Sequence, residues 1–294
     1  MRQFFPILIF VGLATLVQAE PLKVASLSTV LADIARNVGG DRVDVREIIK
    51  PGTDPHLYEP TPGDIKKISN VQMVLASGLG FEPYLDKLRS SLEKSGVIFV
   101  VAGSAVKPIA CMEEDHHDHG HASTDPHWWH SIANVEAVTM QIRDAFIAAD
   151  PAGTATFEAN AKAFEEKLEA LSKWVRIQLA ALPKSKRILV TSHDALGYFA
   201  KDNGFEILPV QGISTSDQPS SRKVRHLIQE IKERQVKAIF AENIENPKVL
   251  RQITIETGAT LGGTLYADGL GTGDAGTYLG MMRSNVTTIV GDLQ

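Results

Sequence analysis

The chain has 294 residues, is 44% hydrophobic and 22% charged, and carries a formal net charge of −5. That length and apolar content suffice for two ordinary cores, and the mildly acidic balance argues against a nucleic-acid partner. Cys111 is the only thiol, so no intramolecular disulfide can staple the fold and apolar burial must stabilise it unaided.

The first element in chain order is a leader. Arg2 precedes an apolar run from Phe4 to about Val17, and "VQA" sets small residues before a cut after Ala19. This is the pattern of a secretory signal peptide over residues 1–19. The run is shorter than the roughly 20 residues of a spanning helix and contains Pro6. No cysteine stands at the junction to take a lipid anchor, and no later stretch is apolar enough to span a bilayer. The expected product is a periplasmic protein, which loses Arg2 and so moves from −5 to −6.

Beyond the leader, β-rich runs alternate with helical patterns. In the first half they are "LKVASL", "VDVREII", "QMVLAS" and "VIFVVA"; in the second, "RILVTS", "FEILPV", "AIFAE" and "TLGGTLYA". The expected fold is α/β with two lobes, each a mainly parallel sheet flanked by helices. The N-terminal lobe covers 20–150 and the C-terminal lobe 184–294. Between them, Phe157, Ala161, Phe164, Leu168, Leu171, Val175 and Leu182 recur at spacings of three, four or seven, the stripe of an amphipathic helix. Pro151 and Pro183 bound this linking segment, 151–183. The stretch from Thr154 to Leu182 reaches about 43 Å at 1.5 Å per residue. It reads as a rigid strut joining the lobes, the alternative being a long packing helix inside one domain. Ser220 or Ser221 can cap a helix running to about Gln235, Pro247 can open one ending before Gly258, and the last helix begins near Thr277.

One segment differs in composition. "CMEEDHHDHGH" has almost no apolar residues and cannot bury enough surface to fix its own conformation. Its histidines in loop 113–121, His116, His117, His119 and His121, are candidates for loose accessory metal capture, against a reading as a solvated acidic linker.

Four short segments each carry a residue of metal-ligand type: His56 in "PGTDPHLYEPTP", His127 in "TDPHWWH", His193 in "TSHDALGYFA" and Asp268 in "LYADGL". In open α/β sheets, ligands sit outside the carboxyl ends of strands, and His193 and Asp268 each follow a strand-like run. Two candidates come from each lobe, which would put an ion in the cleft between them. Each also has a plain structural reading: His56 as a turn residue after Pro55, His127 as a buried histidine on a carbonyl. His193 could form a catalytic pair with Asp194 or cap a helix, and Asp268 could be a turn acid before Gly269.

The chain resembles the zinc and manganese substrate-binding proteins of bacterial metal ABC importers. The likeness rests on "PGTDPHLYEPTPGDI", "DPHWW", "TSHDALGYFAKDNGFEILPVQGIST" and "YADGLGTGDAGTYLGMMRSNV", and covers nearly the whole mature chain. It implies that His56, His127, His193 and Asp268 are the four metal ligands, and that a long helix joins two α/β lobes. One departure concerns the residues after "DPHxW", where His130, Ser131 and Ile132 stand in place of a Leu-Asp-Pro type continuation; His130 is a lesser candidate donor.

Three imidazoles favour Zn2+ over the harder Mn2+ on affinity grounds, and the histidine-rich loop points the same way; Mn2+ is the alternative cargo. The expected function is a monomeric, non-enzymatic receptor that hands its ion to an inner-membrane ABC permease, with a periplasmic zinc chaperone as a further partner. Its affinity should fall as pH drops through roughly 6.5, the ordinary imidazole range. A zinc-dependent hydrolase is the competing class, but the chain lacks HExxH and GxSxG. An adhesin or zinc buffer working through the histidine-rich loop is the third.

Overall fold

The computed structural model describes residues 20–111, 124–244 and 247–294. The expected leader and the histidines of the 113–121 segment lie outside them. Among the described residues no helix is long and apolar enough to cross a membrane.

The first lobe contains β1 (Leu22–Ser26), α1 (Thr29–Gly39), β2 (Val43–Glu47), α2 (Pro62–Ile68), β3 (Met73–Ala76), α3 (Leu85–Ser91), β4 (Ile98–Val101) and α4 (Ile132–Ala149). Then comes α5 (Thr154–Ala180). The second lobe has β5 (Ile188–Thr191), α6 (Gly197–Asn203), β6 (Glu206–Pro209), α7 (Ser221–Glu233), β7 (Ala238–Ile239), α8 (Lys248–Thr257), β8 (Thr260–Leu261) and α9 (Tyr278–Leu293). The sheets run β2-β1-β3-β4 and β6-β5-β7-β8, parallel throughout. Both therefore share one topology, in which the strand order reverses beside the first strand of each lobe. The inner strands β3 and β5 are buried at every residue, as continuous apolar runs covered on both faces require.

α5 has 27 residues and spans about 40 Å. Its stripe of Phe157, Ala161, Phe164, Leu168, Leu171, Val175 and Leu179 is buried. It lies against α1 and α4 of the first lobe and α9 of the second, so one helix both packs and joins. The apolar cluster along it is continuous, running from Leu22, Ile34 and Phe146 through Phe164 and Leu171 to Met281 and Val286. Each sheet has a separate cluster on its other face, around Val74 and Ile68 in the first lobe and around Val190 and Ile231 in the second.

Helix ends follow the residues that mark them. Ser220 accepts from the Lys223 N–H and Thr277 from the Gly280 N–H, and Thr61 with Asp64 forms a capping box before Pro62. Gly258 ends α8 at φ +79°, a left-handed turn that favours glycine. The last strand departs from expectation. Only Thr260–Leu261 pairs as β8, and beyond Gly262 and Gly263 a single parallel bridge joins Leu265 to Glu242. A Cβ on Gly262 would stand 2.7 Å from the Asp292 carboxylate and one on Gly263 2.7 Å from Thr288. The chain there lies too close to α9 to continue a regular strand with side chains.

Candidate metal site

The four expected residues meet. One donor atom from each of His56, His127, His193 and Asp268 lies within 4.8 Å of all the others. Asp268 Oδ1 stands 3.1 Å from His127 Nε2, 3.2 Å from His193 Nε2 and 3.6 Å from His56 Nε2. His127 Nε2 and His56 Nε2 are 3.3 Å apart. Neighbouring donors of a tetrahedron with 2.0–2.1 Å bonds stand roughly 3.3–3.5 Å apart, so these separations suit one small dication.

Topology makes the convergence possible. His193 follows β5 and Glu242 follows β7, the two strands where the second sheet changes direction. His56 lies on the loop after β2, and His127 just before α4. Asp268 sits on the segment between β8 and α9, which both lobes hold. Asn285 pins it from behind, accepting from the Tyr266 N–H at 2.9 Å and donating to the Tyr266 carbonyl at 2.8 Å. From the first lobe, Trp129 Nε1–H and His130 Nε2–H both donate to the Ala267 carbonyl at 2.8 Å. Thr29 Oγ1 accepts from the Leu270 N–H at 2.8 Å. Gly269 permits this approach, since a Cβ there would come within 2.7 Å of Thr29 Oγ1.

Two of the imidazoles have carboxylates behind them. His127 Nδ1 lies 2.8 Å from Asp125 Oδ1, which also accepts the His127 backbone N–H at 2.8 Å. His193 Nδ1 is hydrogen-bonded to Glu242 Oε2, and its backbone N–H donates to Glu242 Oε1 at 3.2 Å. With Nδ1 occupied as donor, Nε2 is left as the basic nitrogen facing the site. Asp194 does not pair with the His193 ring; its backbone N–H donates to Gly212, so the catalytic-pair reading has no geometry behind it. Phe81 packs edge-on to His56, His127 and Trp129 at 5.0, 5.8 and 4.8 Å and makes one apolar wall.

The electrostatics favour a cation. Burial alone would lower the pKa of His127, but Asp125 and Asp268 outweigh it and hold the imidazole up at about 9. Burial likewise opposes the charge of His193, yet Asp268 and Glu242 carry its pKa well above the ordinary value. Asp268 is the counterpart: burial would raise it, and His193, His127 and His56 bring it well below the usual carboxylate range. Positive charge thus belongs in this pocket. His130 differs, because burial lowers it to about 4 and its ring serves the Ala267 carbonyl. It lies outside the converging set, and the lesser candidacy read from the sequence is corrected: the residue is a neutral donor that fixes the Asp268 segment.

Sequence reasoning passed over Asp125 and Glu242. Both had a readable position, Asp125 two residues before His127 and Glu242 at the end of "AIFAE", a strand neighbouring the one that delivers His193.

Residues 24–291 match a family model described as ZnuA, zinc-uptake complex component A periplasmic. The chain is 36% identical over 282 residues to manganese-binding lipoprotein MntA of Bacillus subtilis, covering 92% of this chain and 89% of that protein. It is 35% identical over 274 residues to iron-binding protein YfeA of Yersinia pestis, covering 92% and 86%. Among solved structures, periplasmic zinc binding protein TroA from Treponema pallidum matches with a TM-score of 0.85 and 29% identity, over 94% of this chain and 99% of that one.

Proposed function

Because this chain belongs to the ZnuA family of metal-binding substrate-binding proteins that serve ABC importers, we propose that its cargo is Zn2+, held by His56, His127, His193 and Asp268 and passed to a membrane permease. The supporting observation is the convergence of the donors: three imidazoles and one carboxylate lie within 4.8 Å of one another, with Asp268 Oδ1 3.1–3.6 Å from each Nε2. Imidazole-rich sets of four suit zinc, whereas manganese favours oxygen donors and higher coordination. Four protein ligands close the shell and leave no water to activate, in keeping with a carrier that performs no bond chemistry.

Manganese is the second reading, and one atom favours it. Asp268 Oδ2 is buried and has no hydrogen-bond partner among the described residues, so the carboxylate is free to grip an ion with both oxygens and raise the coordination number. MntA and YfeA are named for manganese and iron.

Metal analysis of protein purified without added metals, followed by Zn2+ against Mn2+ competition with a chelator of known strength, decides the cargo. One tight Zn2+ per chain that Mn2+ cannot displace supports the proposal; preferential retention of Mn2+ overturns it in favour of the second reading. His193→Ala should weaken binding by at least about 100-fold, since it removes a ligand outright, and should leave the circular dichroism of the fold unchanged. The histidine-rich segment is read as accessory capture for the same site. Deleting residues 113–121 should leave the tight site intact and slow Zn2+ loading at low concentration; loss of the tight site would make the segment itself the working part.

A further inference from the structure

We propose that the hydrogen bond between Asp54 and Thr215 is a latch across the cleft, and that it sets how fast the ion is released through movement of His56. The inference rests on the reading of the four residues as metal ligands, and it concerns rate rather than the identity of the cargo.

The ligands are not equally held. His127 and His193 are each fixed at Nδ1 by a carboxylate, and the Asp268 segment is gripped by Trp129, His130, Thr29 and Asn285. Among the described residues no side chain hydrogen-bonds His56 Nδ1. The His56 side chain also keeps 6% exposure where the other three keep 0–1%. His56 is therefore the ligand facing solvent and the one with least support.

Its loop is tethered in an unusual way. The far end is fixed by the Thr61–Asp64 capping box, which Tyr58 joins through its hydroxyl at 2.9 Å. In the middle, one carboxylate does two things. Asp54 Oδ1 accepts the His56 backbone N–H at 2.9 Å, while Oδ2 accepts the Thr215 hydroxyl at 2.7 Å, 161 positions away in the other lobe. Apart from the His56–Asp268 contact inside the site, this is the hydrogen bond that ties the His56 loop to the second lobe among the described residues. Breaking it frees the carboxylate that orients His56, so the histidine and the interlobe tie come loose together.

The surroundings let the bond exchange. A cavity of about 330 Å3 adjoins it, lined by Asp54, Ser192, Gln211, Thr215 and Lys248, so water can replace the threonine hydroxyl without any core residue moving. Nearby, Leu57 is 62% exposed and Gly52 adopts φ +82°; neither packs the loop down. Asp54 and Thr215 are positioning residues here, since neither reaches the ion.

The test loads full-length protein with one equivalent of Zn2+ and mixes it with excess chromophoric chelator in a stopped-flow instrument. Thr215→Val should release Zn2+ about tenfold faster, the low end for a hydrogen bond to a charged acceptor. Thr215→Ser, which keeps the hydroxyl, should release at the wild-type rate. Melting temperatures of the metal-free variants should match the parent. A wild-type rate in Thr215→Val, or an equal acceleration in Thr215→Ser, overturns the latch; if Thr215→Val does not fold, Thr215→Ala carries the same expectation. His193→Ala separates the two levels of inference. Undiminished Zn2+ binding in that variant defeats the ligand reading itself, whereas loss of Zn2+ there together with an unaltered rate in Thr215→Val defeats the latch alone.

Discussion

At the scale of single residues, the pocket separates donors from the groups that aim them. Glu242 never faces the ion, yet it holds both the ring and the backbone of His193. Glu242→Gln keeps the volume but replaces a charged acceptor pair by one carbonyl oxygen and an N–H2 group. Affinity for Zn2+ should fall about 10–100-fold, the usual cost of losing a partner behind a ligating histidine, as read by chelator competition. Protons compete with the metal at the same nitrogens. With His127 held at about 9 in the metal-free protein, the competition extends well above the 6.5 expected from an ordinary imidazole. Metal binding at pH 7.5 should therefore release at least one proton per ion, measurable by calorimetry in buffers of different ionisation enthalpy. Stability of the metal-free protein follows the opposite course. A histidine raised in the folded state contributes its full stabilisation below about 6.5 and loses it as pH rises towards 9. The melting temperature of metal-free protein should thus drop between pH 7 and 9.5, with the metal-loaded form spared.

At the scale of elements, legibility varied with how much of the signal was local. The α5 stripe was readable because seven apolar residues at helical spacing leave few other conformations, and its buried set agrees with the reading except that Leu179 closes it within the helix. Ser220, Pro247 and Thr277 marked helix starts through their own chemistry. The eighth strand was overread: "TLGGTLYA" looks β-rich, but its two glycines sit under α9, a tertiary closeness that no local pattern records. His130 was misweighted for a similar reason, because the carbonyl it serves lies 137 positions downstream. The four site residues were visible as loop-end ligands, and the resemblance to a known family made them a set. The carboxylates behind them needed the sheet order. Phe164 gives α5 a quantitative check. It is buried within the long apolar cluster, so Phe164→Ala should cost about 3–5 kcal/mol in chemical denaturation, with Zn2+ stoichiometry unchanged in the fraction that folds.

At the scale of the whole molecule, the lobes are joined by more than a hinge. Tyr278 at the start of α9 donates its backbone N–H to Asp33 at 2.9 Å and its hydroxyl to the Trp129 carbonyl at 2.9 Å, both in the first lobe. The apolar cluster passes beneath them along α5 without interruption from Leu22 to Leu293. Heating metal-free protein in a calorimeter should then give a single peak, with matching van't Hoff and calorimetric enthalpies, instead of one transition per lobe. A chain built this way is expected to melt as one unit, since both lobes share the cluster along α5. Opening far enough to part the lobes would leave His56 and His127 on one side and His193 on the other, so a housekeeping protease that cuts a parted chain should meet lobes that no longer share a grip on scarce metal.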